Sequence, residues 1–185
     1  QDPFISLWQK MQNCIDCDLS KNRHNVVQGD YGTNKGICFI GEGPGEKEDL
    51  QGRPFVGRSG KLLDKMLERI GYTRSDVSVL NIVKCRPPNN RAPTKPEISQ
   101  CGSIWLYIQL ELLNPKIVVT LGSTALQYFL PKHKMTMSKG KIFYLKEQNF
   151  SVFPLFHPSY ILRNGNKLVD DYYRDFKLID ALYNQ

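Results

Sequence analysis

The sequence predicts an α/β fold, a three-layer αβα sandwich around a central, mainly parallel four-stranded sheet. Two patterns carry this expectation. Short apolar, β-branched runs alternate with longer stretches of helical periodicity, and glycine-rich turns follow the runs. With 185 residues the chain has enough length for one full core and too little for two. A single domain over residues 1–185 is therefore expected.

The first strand is read at residues 36–41. The first clear helix covers 60–70, with Leu62, Leu63, Met66, Leu67 and Ile70 on one face and Gly71 as its stop. A second strand covers 77–83. A second helix starts near Thr94, where Thr94 and Glu97 have capping-box spacing and Pro96 fits the first turn, and it runs to about residue 113. The third strand is 117–121, and Gly122 and Ser123 then open a short helix to residue 130. Two more strand candidates lie at 141–145 and 152–156, and a last helix covers 168–183. Gln1-Asp2-Pro3 carry no weight in this reading.

Lysine and arginine number 25 against 18 acids, a formal charge of +7, which favours a polyanionic partner such as nucleic acid. Lys132, His133, Lys134, Lys139, Lys141 and Lys146 form a denser cluster that reads as a solvated loop around Gly140. No apolar run is long enough to cross a membrane, and the N-terminus lacks the pattern of a secretory signal. A cytoplasmic location is expected, nucleoid-associated in a prokaryote.

In open α/β sheets, ligands bind beyond the carboxyl ends of the strands. The conspicuous residues fall there. Gly41-Glu42-Gly43-Pro44-Gly45 and Gly52-Arg53-Pro54-Phe55-Val56-Gly57 follow the first strand, Asn81 lies in the second with a loop after it, and His157 follows the last. Glycines let backbone approach a ligand and adopt positive φ, while the prolines fix direction. Such a segment suits either a flat ligand's pocket or a phosphate-binding turn. An asparagine inside an apolar strand is costly if idle, which favours the pocket.

Of five cysteines, Cys14 and Cys17 have two residues between them, and Cys85 and Cys101 flank the start of the second helix. In a cytosolic protein this set reads as metal-binding. Tetrahedral zinc and a cubane iron–sulfur cluster both accept four thiolates, and spacing does not separate them. Cys38, inside the first strand, reads as a small buried apolar residue.

Taken with Asn81-Ile82-Val83-Lys84-Cys85-Arg86-Pro87-Pro88-Asn89-Asn90-Arg91 and His157-Pro158-Ser159-Tyr160-Ile161-Leu162-Arg163-Asn164, these motifs resemble those of the family-four uracil-DNA glycosylases, the iron–sulfur type. The resemblance covers nearly the whole chain. It implies a [4Fe-4S] cluster on Cys14, Cys17, Cys85 and Cys101, with an N-terminal cluster-binding segment, and structural zinc as the alternative. It also implies a monofunctional enzyme that hydrolyses the glycosidic bond of a flipped-out deoxyuridine.

By the same resemblance Gly41, Glu42, Gly43, Glu48, Phe55, Asn81 and His157 contact uracil. Phe55 stacks on the base, Asn81 reads its edge, His157 stabilises charge at O2, Glu42 orients water or offsets the sugar's charge, and Glu48 excludes the thymine methyl. Arg86, Pro87, Pro88, Asn89, Arg91, Ser159, Ile161 and Arg163 would meet DNA, with Ile161 as the wedge that fills the space left by the base. Lysine is absent from Schiff-base positions, so no lyase step is expected. The expected partner is uracil-containing DNA, bound by a monomer. The sequence is silent on strand preference and on a sliding clamp. Two alternatives stand beside this reading: a non-catalytic iron–sulfur DNA-binding relative, and a zinc-stabilised nucleotide-binding domain.

Overall fold

A computed structural model describes residues 1–33 and 36–185. The chain opens with α1 (Pro3–Met11), a helix that the sequence reading missed. Asp2 caps it, accepting the Phe4 N–H at 2.8 Å, and Leu7 and Met11 are buried against the core. After β1 (Ile37–Gly41) come α2 (Glu46–Gln51) and α3 (Arg58–Arg69), then β2 (Ser78–Asn81).

The second predicted helix is one rod made of α4 (Lys95–Cys101), a π-helical turn at Gly102–Leu106 and α5 (Tyr107–Leu113). Its capping box forms as expected: Glu97 N donates to Thr94 Oγ1 at 3.3 Å and Thr94 N to a Glu97 oxygen at 2.8 Å. The irregular turn sits where Gly102 meets the Tyr128 ring, which a Cβ would approach to 2.5 Å.

The second half comprises β3 (Ile117–Leu121), α6 (Ser123–Phe129), α7 (Met135–Ser138), β4 (Phe143–Leu145), β5 (Phe150–Leu155), α8 (Pro158–Arg163) and α9 (Val169–Tyr183). The sheet order is β2-β1-β3-β5-β4, parallel except for β4, which runs antiparallel along the outer edge of β5. The expectation of four strands is therefore corrected to five. Both late strand candidates, 141–145 and 152–156, join the sheet as β4 and β5, the first of them short and only partly covered.

Alternation along the strands sorts the core onto two faces. Cys38, Ile40, Leu80, Val118 and Val152 face α1, Trp105, Leu106 and Leu113. Ile37, Phe39, Val79, Val119 and Phe153 face α3 and α9 through Leu63, Met66, Phe176 and Ile179. This is the expected three-layer sandwich. β1 connects onward to β2 on one side while β3 pairs with its other side, so the strand order reverses between β1 and β3. A crevice opens beyond their carboxyl ends.

Candidate active site

A cavity of about 640 Å³ lies in that crevice, and residues from every predicted motif line it, among them Glu42, Gly43, Phe55, Asn81 and His157. Glu42 follows β1, and the Thr124 hydroxyl, from the first turn of α6, donates to Glu42 Oε2 at 2.6 Å. This bond spans the point where strand order reverses. Among the described residues Oε1 has no protein partner, so one carboxylate oxygen is fixed and the other is left for a ligand.

Phe55 reaches the cavity from a constrained loop. Its φ is +50°, in the left-handed region that a residue with a side chain seldom adopts. Two glycines make room for it. A Cβ on Gly41 would come within 2.6 Å of the Phe55 ring and 2.7 Å of Asn81 Oδ1, and one on Gly60 would collide with the Phe55 carbonyl. Arg74 holds the loop from below, donating to Phe55 O at 3.1 Å and Pro54 O at 2.5 Å while paired with Asp64 at 2.8 Å. Glu48 closes it from the side. Its carboxylate accepts the N–H groups of Gly45 at 3.0 Å, Val56 at 3.0 Å and Gly57 at 2.9 Å, tying both glycine-rich segments together.

Asn81 is the last residue of β2, in register with Gly41. It is 3 % exposed, and its Oδ1 is buried without a hydrogen-bond partner among the described residues. An unmet acceptor of this kind costs about 1–3 kcal/mol. In a pocket wall, a ligand can supply the missing donor.

His157 follows β5 and caps α8, its ring centroid 5.8 Å from that of Phe55. Nδ1 accepts the Ser159 backbone N–H at 3.1 Å and lies 2.8 Å from the Ser159 hydroxyl. A backbone N–H can only donate, so Nδ1 carries no proton and the neutral ring is protonated at Nε2. Burial, with the nearby Arg163 charge, pushes the imidazole pKa down to about 4. At neutral pH the ring is an uncharged donor.

The residues expected to meet DNA separate into two groups. Pro87, Arg91, Ser159 and Arg163 line the cavity mouth. Asn89 is exposed and Pro88 half-buried in a short turn beside it, and Arg86 donates to Asn90 Oδ1 at 2.7 Å. Arg91 grips Glu97 through two bonds of 2.8 and 2.9 Å. Ile161 must be corrected. It is 2 % exposed and packs into the core beneath α8, where the helical turn directs it inward, so it cannot enter a duplex.

The four expected cysteines converge on a second, largely apolar cavity walled by Leu19, Val26, Ile104 and Trp105. N–H groups point at three of the sulfurs. Trp105 Nε1 lies 3.2 Å from Cys14 Sγ, Lys84 N 3.3 Å from Cys101 Sγ, and an Arg23 nitrogen 3.5 Å from Cys85 Sγ. Burial raises the thiol pKa values of Cys17, Cys85 and Cys101, the last two to about 11 and 12. Ionised sulfur here needs a metal to displace the proton. No three His, Cys, Asp or Glu side chains among the described residues gather as around one metal ion. Cys38 is fully buried in β1, as expected.

Four residues of these sites escaped the sequence reading. Thr124 and Gly122 belong to the β3–α6 turn, and Gly122, with φ +93°, lacks the Cβ that would stand 3.2 Å from the His157 Cβ. That turn carries the same signal as the others, a glycine just past a buried strand. Arg74 and Lys84 gave none, since their importance lies in what they reach. Lys84 is 1 % exposed, and its Nζ donates to the Asn81 carbonyl at 2.6 Å.

The sequence model of the uracil DNA glycosylase superfamily matches residues 28–177. A type-4 uracil-DNA glycosylase of Thermotoga maritima is 47 % identical over 159 residues, 84 % of this chain and 81 % of that protein. One from Archaeoglobus fulgidus is 39 % identical over 181 residues, covering 94 % and 90 %. A type-5 uracil-DNA glycosylase of Pyrobaculum aerophilum is 34 % identical over 134 residues, 63 % of this chain and 58 % of that protein. The chain thus belongs to the uracil DNA glycosylase superfamily, in its type-4 branch.

Proposed function

We propose that this protein hydrolyses the N-glycosidic bond of deoxyuridine flipped out of DNA, releasing uracil and leaving an abasic site. The observation that carries the reading is the buried, unpartnered Oδ1 of Asn81 in a pocket that also holds an aromatic wall and a neutral histidine donor. A base inside a duplex is out of reach, so it must leave the stack and enter such a pocket.

Phe55 stacks on the base, an interaction worth about 1–3 kcal/mol on aromatic platforms. Asn81 accepts from uracil N3–H and donates to O4. Cytosine, with an amine at C4 and no N3 proton, satisfies neither bond. As the C–N bond breaks, the base gains negative charge and the sugar becomes a cation. His157 Nε2–H donates to O2, and a preorganised donor of this kind contributes about 3–4 kcal/mol to the transition state. Glu42, fixed through Oε2 by Thr124, presents Oε1 to water and to the sugar's positive charge.

Outside the pocket, Arg86, Arg91 and Arg163 bind phosphates, with Pro88, Asn89 and Ser159 along the same rim. Of the α8 side chains that keep exposed apolar surface, Tyr160 is stacked on Phe156 at 4.5 Å between ring centroids. The wedge therefore falls to Leu162. No helix among the described residues is long and apolar enough to cross a membrane.

Cys14, Cys17, Cys85 and Cys101 hold a [4Fe-4S] cluster, as the family resemblance implies, with zinc as the second candidate. Apolar walls and N–H groups aimed at sulfur fit that group. When bound it supplies a rigid tie between the N-terminal segment and the α4–α5 rod. Visible absorbance of anaerobically purified protein tests it, and a colourless, zinc-loaded, fully active sample would overturn the cluster.

For the reaction, a labelled uracil-containing oligonucleotide is incubated with the protein and then treated with alkali. Cleavage at the uracil position is expected. An intact strand would refute the assignment.

A further inference from the structure

Lys84 is a lysine without solvent. It is 1 % exposed, and an ammonium so enclosed loses several kcal/mol of hydration unless its surroundings return it. The return comes from two directions. Its Nζ reaches back three residues to the Asn81 carbonyl at 2.6 Å, and the charge lies within electrostatic reach of Cys38, Cys85 and Cys101. Its backbone is tied to the same neighbours. The Lys84 N–H points at Cys101 Sγ at 3.3 Å, the next residue is Cys85, and Val27 N donates to Lys84 O at 2.7 Å.

The chain between Asn81 and Lys84 has little freedom of its own. Ile82 N bonds to Gly41 O at 2.9 Å and Val83 N to Glu42 O at 3.1 Å, so this segment also backs the glycine turn of the base pocket. A group that moves or charges the cysteine sulfurs therefore acts on Lys84 at its backbone N–H and at its ammonium. Lys84 in turn acts on the main chain of the residue that reads the base.

We propose that Lys84 is a positioning residue that couples the four-cysteine site to Asn81, so that selectivity for uracil depends on that site being filled. This rests on the reading of Asn81 as the group that recognises uracil. A group held by the four sulfurs would fix Cys101 Sγ, which receives the Lys84 N–H, and through Lys84 the Asn81 carbonyl that its ammonium grips. With the site empty, the Cys101 sulfur that receives the Lys84 N–H is no longer held, and Lys84 loses its anchor on that side. Coupling of this kind is reciprocal, and a double perturbation reveals it.

The test compares wild type and Lys84→Met, each with its metal group and after anaerobic chelation. The readout is binding of oligonucleotides carrying 2′-fluoro-2′-deoxyuridine or 2′-fluoro-2′-deoxycytidine, which resist hydrolysis, with melting curves as a check on folding. The loss of one charged hydrogen bond predicts that loaded Lys84→Met binds the uracil analogue with about 10- to 100-fold less preference over the cytosine analogue. Chelated wild type should fall to the same level, and chelation of Lys84→Met should cause no further fall.

If Lys84→Met does not fold, Lys84→Gln takes its place, and the chelated wild type stands as an independent arm. Undiminished preference in the variant, or in chelated wild type, would overturn the coupling. So would an equal loss of affinity for both oligonucleotides, which marks general loosening. Loaded wild type that cleaves uracil DNA while Lys84→Met keeps full selectivity removes this inference alone. Loaded wild type with no uracil preference removes the reading of Asn81 beneath it.

Discussion

The protonation state of His157 can be tested apart from turnover. Its imidazole pKa falls from the ordinary 6.5 to about 4 because the ring is buried, with Arg163 adding a like charge. The folded protein thus holds the neutral ring while the unfolded chain takes up a proton first. The stability this preserves is fully present above 6.5 and is lost as pH falls from 6.5 toward 4. At about 1.4 kcal/mol per pH unit, the loss comes to about 3 kcal/mol. The chain has 3 histidines, so ring nitrogen NMR can follow each, with His157→Gln identifying the signal. We expect a midpoint near 4 and a proton on Nε2 throughout the neutral range. Urea unfolding should show the acid-dependent loss in wild type and less of it in His157→Gln. A midpoint of about 6 or above, or a ring protonated at Nδ1, would refute both the burial argument and the role of Nε2–H as donor.

Asn81→Asp should relax the preference for uracil and admit cytosine, because a protonated carboxyl can both donate to cytosine N3 and accept from its amine. Comparison of uracil- and cytosine-containing duplexes checks this. Ile161→Ala should cost about 2–4 kcal/mol of stability by chemical denaturation, as buried aliphatic truncations do, with base extrusion in 2-aminopurine duplexes unchanged. Leu162→Ala should do the reverse, lowering extrusion with little loss of stability. Thr124→Val keeps volume but removes the 2.6 Å bond to Glu42, and about tenfold lower kcat with little change in KM is expected from single-turnover kinetics.

The sheet was legible because apolar runs are long and their alternation consistent. β3 falls on residues 117–121 as read, and the capping box at Thr94 forms because both its members are local in sequence. Local signals fail where long-range packing decides. α1 was overlooked because its amphipathic face is short and acquires meaning only against Trp105 and the cysteine cavity. Ile161 was misplaced for a related reason. In an extended loop it would point outward, but residues 158–163 form a helix whose inner face it occupies. Arg74 and Lys84 act across 19 residues and through a carbonyl, and no spacing rule marks such contacts.

The loop that carries Phe55 shows how the pocket is kept ready. Left-handed backbone costs a residue with a Cβ about 1–2 kcal/mol, so Phe55 would relax if released. Three N–H bonds to Glu48 and two carbonyl bonds from Arg74 prevent this, and each bond to a charged group contributes about 1.5–3 kcal/mol. The balance favours the strained loop before any base arrives. A stacking wall set in advance needs no reorganisation as charge develops, which is the condition for electrostatic stabilisation to act on the transition state. Both oxygens of Glu48 are already engaged in holding Gly45, Val56 and Gly57. The carboxylate holds that wall in position while itself lining the cavity.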